Sequence, residues 1–332
     1  MFKVSHSKIK TARRCHRAYF YKYVAKLRKR TKSRPLIVGS LVHECLESYF
    51  RDGHYLPVIR KWKELEYNKM FKEEQVLHAD IIPLVKQLIR GYINQWDNRN
   101  LTMLWVEKSF ELEISPGIIL VGKIDGRARC HQGMEWLVEH KTCKKMPDET
   151  TRQFDTQAVL YNAVLPLMNE KPVQGVLWDY VRTKLPAKPE LLAKGGLSTA
   201  KKIDTLPEVY LREIKRHGLD PVGYKDILEH LELKRDSFYR EIRLPFSNEF
   251  SNNIMQEFVI TSNEMKRRED NYKVDEDMQA FTCNPSRDCS WCDYENLCYA
   301  QLRGDDISYI LKHDFRRRSK DGSESIPIKI VE

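Results

Sequence analysis

The sequence predicts a soluble α/β protein with one mixed sheet and the element order helix, three strands, helix, strand. Two observations support this fold class. The chain has 332 residues, of which 41% are hydrophobic and 10% aromatic, enough to bury the core of one or two domains. The spacing of hydrophobic residues also changes near residue 103 from a helical period to strand-like alternation.

The elements follow in order along the chain. Helices are expected at 5–30, 36–50, 58–98 and 151–168. Strands are expected at 103–114, 118–130, 135–143 and 173–182, with turns at SPG and HQGM. Because the first three strands follow one another without an intervening helix, the pattern favours an α/β sandwich with a mixed sheet over a long alternating series.

The chain is expected to divide into four parts. Residues 1–182 hold the N-terminal helices and the core, and 183–280 form a mostly helical insertion with a strand near 239–246. Residues 281–311 contain a cysteine cluster. The charged tail at 312–332 is predicted to be mobile.

Charge points to a polyanionic partner. The formal net charge is +10 and the pI is about 9.1, which makes nucleic acid the first candidate. No apolar run is long enough to span a membrane, and the first residues do not form a secretory signal. The expected location is therefore cytoplasmic, with no membrane partner.

Three charged residues on adjacent predicted strands form a candidate active site. Asp125 lies in GKIDGR, and Glu139 and Lys141 lie in VEHK. Side chains alternate along a strand, so Glu139 and Lys141 share a face, and a hairpin would bring Asp125 beside Glu139. Mg²⁺ would relieve the repulsion between two carboxylates, and Lys141 would orient an attacking water. The alternative is an ordinary solvated face with surface ion pairs.

Cysteines form the second candidate site. Four of the eight cysteines fall within sixteen residues, which indicates metal or cluster ligation in a cytosolic protein. Zinc ribbons use two close pairs, whereas only Cys289 and Cys292 form one here. Ferredoxin spacings do not fit either.

The order GSLVHE, GKIDG, VEHK and QAVLY resembles the PD-(D/E)XK nuclease superfamily, above all its RecB-like branch. This resemblance implies a restriction-endonuclease-like αβββαβ core and metal-dependent cleavage of DNA phosphodiesters. It implies that a Mg²⁺ or Mn²⁺ ion is bound by three side chains and one main-chain carbonyl: those of His43, Asp125 and Glu139, and the carbonyl of His140. It implies that Lys141 is the catalytic lysine and that Gln157 and Tyr161 support it.

The same branch includes iron–sulfur nucleases, among them AddB-type domains, CRISPR adaptation nucleases and phage-encoded stand-alone exonucleases. Their pattern of one N-terminal cysteine plus C-x2-C-x5-C implies a structural [4Fe–4S] cluster on Cys15, Cys289, Cys292 and Cys298. Cys283 competes with Cys15 for the fourth position. The cluster would staple the C-terminal part to the N-terminus across about 270 residues.

The basic N-terminal segment is the candidate DNA-binding surface. Phosphate contacts are expected from Arg13, Arg14, Arg17, Lys29 and Arg30. Tyr19 and Tyr23 would stack on the bases of a single strand, or would instead pack in the core. No P-loop motif occurs, so any helicase or recombination partner would be a separate chain.

The sequence therefore favours a metal-dependent DNA exonuclease that acts on single strands or duplex ends in recombination, repair or phage DNA processing. Two alternatives remain open. One is a non-catalytic or CRISPR-adaptation module that binds DNA ends, and the weaker one is a zinc-ribbon DNA-binding protein. The oligomeric state is not predicted.

Overall fold

A six-stranded mixed sheet forms the centre of the protein, seen in a computed structural model that describes residues 1–97, 99–147 and 155–317. The strands are β1 (Phe2–Val4), β2 (Leu27–Lys29), β3 (Leu101–Ser115), β4 (Ile118–Cys130), β5 (Glu135–Cys143), β6 (Gly175–Arg182), β7 (Tyr239–Pro245) and β8 (Phe315–Arg317). β2 and β8 form a separate antiparallel pair.

Twelve α-helices surround the strands in the described part of the chain. They are α1 (His6–Arg14), α2 (His16–Tyr19), α3 (Arg34–Asp52), α4 (Leu56–Leu65), α5 (Lys72–His78), α6 (Ile81–Trp96), α7 (Thr156–Val164), α8 (Pro207–Arg216), α9 (Lys225–Glu232), α10 (Asn248–Asp275), α11 (Glu295–Arg303) and α12 (Ser308–Asp314). None of these helices combines the length and the apolar character needed to cross a bilayer.

β4 organises the sheet because it has different partners along its length. β3 pairs with it antiparallel from end to end. On its other edge, β1 pairs in parallel with residues 118–120 and β5 pairs antiparallel with residues 126–129. The sheet continues through β6, parallel to β5, and β7, antiparallel to β6. The predicted mixed sheet and the αβββαβ order, α3 to α6 followed by β3, β4, β5, α7 and β6, are confirmed.

Hydrophobic cores lie on both faces of the sheet. Leu137 of β5 belongs to a core shared by the N-terminal segment, α7, α10 and the C-terminal residues. Its neighbour Val138 belongs to a second core built with α3, α4 and α6. The alternation of a strand therefore places helices on both sides of β5, as an α/β sandwich requires.

The single helix expected at 5–30 is wrong, because the chain breaks at Cys15. Cys15 has an extended backbone with φ −163° and ψ 121°. The Arg17 backbone N–H donates to the Thr282 carbonyl at 3.0 Å, and the Asn284 side chain donates to the Arg14 carbonyl at 3.0 Å. These bonds to a distant segment stand in for bonds that a continuous helix would make here.

Parts of the predicted insertion and of the predicted tail pack with the core. Within the predicted insertion at 183–280, β7 completes the sheet and α10 packs against α7. The strand expected near 239–246 corresponds to β7. The described part of the predicted tail, 312–317, holds the end of α12 and the strand β8, where Phe315 is buried and stacks on Tyr294. Residues 318–332 lie outside the described part of the chain.

Gly175 at the start of β6 leaves no space for a side chain. A Cβ there would lie 2.1 Å from the Leu244 carbonyl oxygen and 2.7 Å from the Pro245 Cα, both in the backbone of β7. That backbone is tied to β6 by sheet pairing, so it cannot yield easily. We expect Gly175→Ala to lower the free energy of unfolding by about 3 kcal/mol, measured by denaturant titration.

The matched control for this substitution is Gly223→Ala. A Cβ at Gly223 would meet nothing within 4 Å, so we expect a change below about 1 kcal/mol. Equal small effects of the two substitutions would contradict the proposed clash.

Candidate active site

The candidate site lies where β5 separates from β4. Among the described residues, no strand pairs with 121–125 on this edge of β4, which leaves a gap between β1 and β5. Asp125 stands at the end of this gap. Its Oδ2 accepts the backbone N–H of His140 at 2.9 Å, which ties the two diverging strands together. The Asp125 carboxylate is therefore held in place by the main chain of β5.

Glu139 is the most buried member of the predicted group, with 2% of its surface exposed. Its Oε1 accepts a hydrogen bond from the Lys141 ammonium and another from Gln157 Nε2 at 2.8 Å. Gln157 reaches it from the first turn of α7, where the Asp155 side chain caps the helix by accepting the Gln157 N–H at 3.3 Å. The structure thus joins the E-x-K residues to α7.

The electrostatics of this pair follow from burial and from neighbouring charge. Burial, together with the nearby Asp125 carboxylate, raises the pKa of Glu139 to about 8, although Lys141 acts in the opposite direction. Burial on its own lowers the pKa of Lys141, but the Glu139 carboxylate outweighs this and raises it above its ordinary value. A buried acid next to a second acid is a place where a cation relieves repulsion.

His43 and a residue that the sequence did not single out complete the site. His43 Nδ1 of α3 lies 3.5 Å from Asp125 Oδ2. Burial lowers the pKa of His43, which keeps its imidazole neutral and able to bind a metal. One potential ligand atom each from His43, Asp125 and Glu107 lie within 4.8 Å of one another. Ligands about 2.1 Å from Mg²⁺ sit at most about 4.2 Å apart, so small side-chain adjustments suffice.

Glu107 occupies an unusual position in β3. The flanking pairs Val106–Gly126 and Lys108–Ile124 place Glu107 opposite Asp125. Its φ of 52° is left-handed, a strained conformation for a non-glycine residue in a strand. Its Oε2 lies 2.5 Å from Lys123 Nζ. Strained backbone conformations cluster at functional sites, so the conformation of Glu107 is consistent with a role of its carboxylate in metal binding.

The remaining predicted residues of this site are nearby but play different parts. The His140 backbone is hydrogen-bonded to the His43 ring, so the main-chain group expected to bind metal lies at the site. Glu139 is not part of the group that includes His43, Glu107 and Asp125. Tyr161 is 6% exposed, packs edge-on against Phe110 and lines the same groove as Gln157.

Five cysteines line one cavity of about 610 Å³ between the N-terminal helices and the C-terminal segment: Cys15, Cys283, Cys289, Cys292 and Cys298. The Asn284 and Ser286 backbone N–H groups donate to the sulfur atoms of Cys15 and Cys289 at 3.4 and 3.5 Å. Cys283 Sγ lies 3.6 Å from Cys298 Sγ. Among the described residues, no three thiols lie at the spacing of ligands to a single ion.

The predicted DNA-binding residues divide into two groups. Arg13, Arg14, Lys29 and Arg30 are exposed. Arg17 instead donates to the Phe281 carbonyl at 2.9 Å, and Tyr19 is fully buried with its hydroxyl bonded to Glu269. Tyr23 is half-buried and packs against Tyr19. Base stacking by Tyr19 therefore has no support here, because packing in the core covers its ring.

Comparison with known proteins identifies the chain at the level of a family. No curated protein matches it. A family model described as the PD-(D/E)XK nuclease superfamily matches residues 3–299, about nine-tenths of the sequence. The match spans the sheet, the Asp125 and Glu139 region and the cysteine-lined cavity. Nucleases of this superfamily use divalent metal ions, in agreement with the acidic site at the gap in the sheet. The chain therefore belongs to the PD-(D/E)XK nuclease superfamily.

Proposed function

We propose that the protein is a metal-dependent deoxyribonuclease, an exonuclease that hydrolyses phosphodiesters in single strands or at duplex ends. The observation that carries this proposal is the anchored pair of acids. Asp125 is fixed by the His140 N–H, and Glu139 is fixed by Lys141 and Gln157. A solvated face of surface ion pairs would not bury Glu139 to 2% exposure.

Each residue of the candidate site has its own role in the proposed reaction. A divalent ion bound by Asp125, with Glu107, His43 and Glu139 as further ligands, would polarise the scissile phosphate and acidify a water molecule. Lys141 places its ammonium beside these acids, where it can orient the attacking water and neutralise charge on the phosphate. Gln157 holds the Glu139 carboxylate in a single orientation.

The direct test compares three DNA substrates in Mg²⁺ or Mn²⁺. Two are end-labelled and linear, a single strand and a duplex, and the third is a covalently closed circular duplex. We expect the linear substrates to be degraded from their ends and the circle to survive. Chelation by EDTA should stop the reaction. Cleavage of the circle would contradict exonuclease action, and binding without any cleavage would instead indicate a DNA end-binding module.

We also propose a [4Fe–4S] cluster of structural role, held by Cys15, Cys289, Cys292 and Cys298. The placement of five cysteines around one cavity supports it, as do the two backbone N–H groups that point at sulfur. Burial raises the pKa of Cys298 to about 12 and raises the pKa of Cys292. A metal centre would compensate by stabilising their thiolate forms.

Glu107 provides a prediction specific to this structure. We expect Glu107→Gln to weaken binding of Mn²⁺, because it removes one anionic ligand facing Asp125, with a loss of about 10-fold to 100-fold measured by isothermal titration. Glu111→Gln in the same strand is the control, since Glu111 is about half exposed and paired with Lys3. Equal Mn²⁺ affinity in both variants would remove Glu107 from the metal site.

A further inference from the structure

The excess positive charge of the protein is confined to its N-terminal segment. Residues 1–34 contain 13 Lys and Arg and no Asp or Glu, which leaves 44 basic against 47 acidic residues in the rest of the chain. Most of these 13 side chains are exposed. A polyanion would therefore be attracted to this segment rather than to the protein surface in general.

Part of this positive charge lies on one face of α1, next to the start of α7. His6, Lys10 and Arg13 are spaced four and three residues apart, so they share a face of the helix. Together they line a cavity of about 200 Å³ with Asp155 and Thr156 at the start of α7. Asp155, the one acid in this wall, is engaged as the cap of α7. Arg13 donates to the Thr261 hydroxyl and lies 3.8 Å from Glu257 of α10, whereas Lys10 forms no ion pair within the described ranges.

His6 also borders a second groove of about 460 Å³, whose wall includes Ser7, Lys123, Gln157 and Tyr161. This groove reaches the catalytic centre, since Gln157 is bonded to Glu139. The His6 side of α1 is therefore connected to the site through the first turn of α7.

The His6 ring is placed to receive a ligand. It is 9% exposed, and its Nε2 lies 3.2 Å from the Thr156 hydroxyl. The ring borders both cavities, so a group bound in either one can reach it.

We propose that the α1 face formed by His6, Lys10 and Arg13 binds successive phosphates of a single nucleic-acid strand and leads that strand into the groove at Gln157. This inference rests on the proposed nuclease function and assigns its strand-binding subsite. A single strand fits because cavities of about 200 and 460 Å³ can take up the backbone of one strand, whereas a duplex carries its phosphates on the outside of a wide cylinder. Basic grooves that follow one backbone are typical of single-strand binding.

The experiment measures binding rather than cleavage. Anisotropy of a labelled oligothymidylate and of a blunt hairpin duplex is recorded with the full-length protein in EDTA, from about 50 to 200 mM salt. The slope of log K against log salt is negative, and each lost phosphate contact on a single strand reduces its magnitude by about 0.7. We expect this decrease for Lys10→Ala and again for Arg13→Ala, with about twice the decrease in the double variant.

Lys86→Ala is the matched control, because Lys86 is an exposed lysine of α6 and its loss changes the net charge equally. We expect the Lys86 variant to keep the original slope, and melting curves to show that all variants are folded. Equal slopes for the Lys10 and Lys86 variants would overturn the proposal, as would an equal decrease for duplex and single strand. If no DNA is cleaved in Mg²⁺ but the slopes change as expected, the strand-binding subsite stands and the nuclease proposal fails.

Discussion

Asp125→Asn is expected to leave the protein folded and to remove DNA cleavage, with a loss of at least about 1,000-fold in single-turnover rate. Asparagine retains an oxygen that can accept the His140 N–H, so the link between β4 and β5 survives. What disappears is the negative charge that faces His43 and Glu107. The measurement is single-turnover cleavage of a labelled single strand in Mn²⁺, with binding of the same strand followed in EDTA.

Lys141→Met should reproduce this loss by a different route, because it removes the ammonium while keeping the length of the side chain. Asp226→Asn, at an exposed acid of α9, serves as the control and should cleave at the original rate. Cleavage within about tenfold of the original rate in pure Asp125→Asn protein would refute the assignment of Asp125 as the metal carboxylate.

Cys292→Ser is expected to cause the largest loss of stability. Without the proposed cluster the N-terminal and C-terminal segments lose a cross-link that closes a loop of about 270 residues. Chain-entropy reasoning gives such a cross-link about 5 kcal/mol. We expect the melting temperature to fall by about 7 °C, together with loss of iron and of visible absorption after anaerobic purification.

Cys143→Ala is the control for this series, because Cys143 lies in β5, away from the cysteine-lined cavity. It should keep both iron and absorption. The pair Cys15→Ser and Cys283→Ser then decides the fourth ligand, and we expect iron to be lost in the first and retained in the second. Zinc without iron in the purified protein would contradict the iron–sulfur proposal.

The sequence was sufficient for features that depend on short-range spacing. The E-x-K alternation on one strand and the helical position of Gln157 fix relations over a few residues, and the structure brings these side chains together around Glu139. The same local patterns predicted the succession of β3, β4, β5 and β6 along the chain, and the helix α3 at nearly its observed limits.

Features that depend on distant contacts were not accessible in this way. Glu107 faces Asp125 only because of the pairing of β3 with β4, and its positive φ leaves no local signal in the sequence. The break at Cys15 depends on hydrogen bonds to Thr282 and Asn284. The burial of Tyr19 similarly depends on Phe281 and Glu269.

The shared core of the two ends of the chain has a consequence for biosynthesis. Tyr21 packs against Tyr294, and the β2 strand at Leu27–Lys29 pairs with β8 at Phe315–Arg317. At about 5–20 residues per second, translation needs roughly 14–55 s to supply Tyr294 after Tyr21 has been made. During that interval the aromatic, highly basic nascent segment has no native partner. We therefore expect a lower growth temperature and co-expressed chaperones to raise the yield of folded recombinant protein.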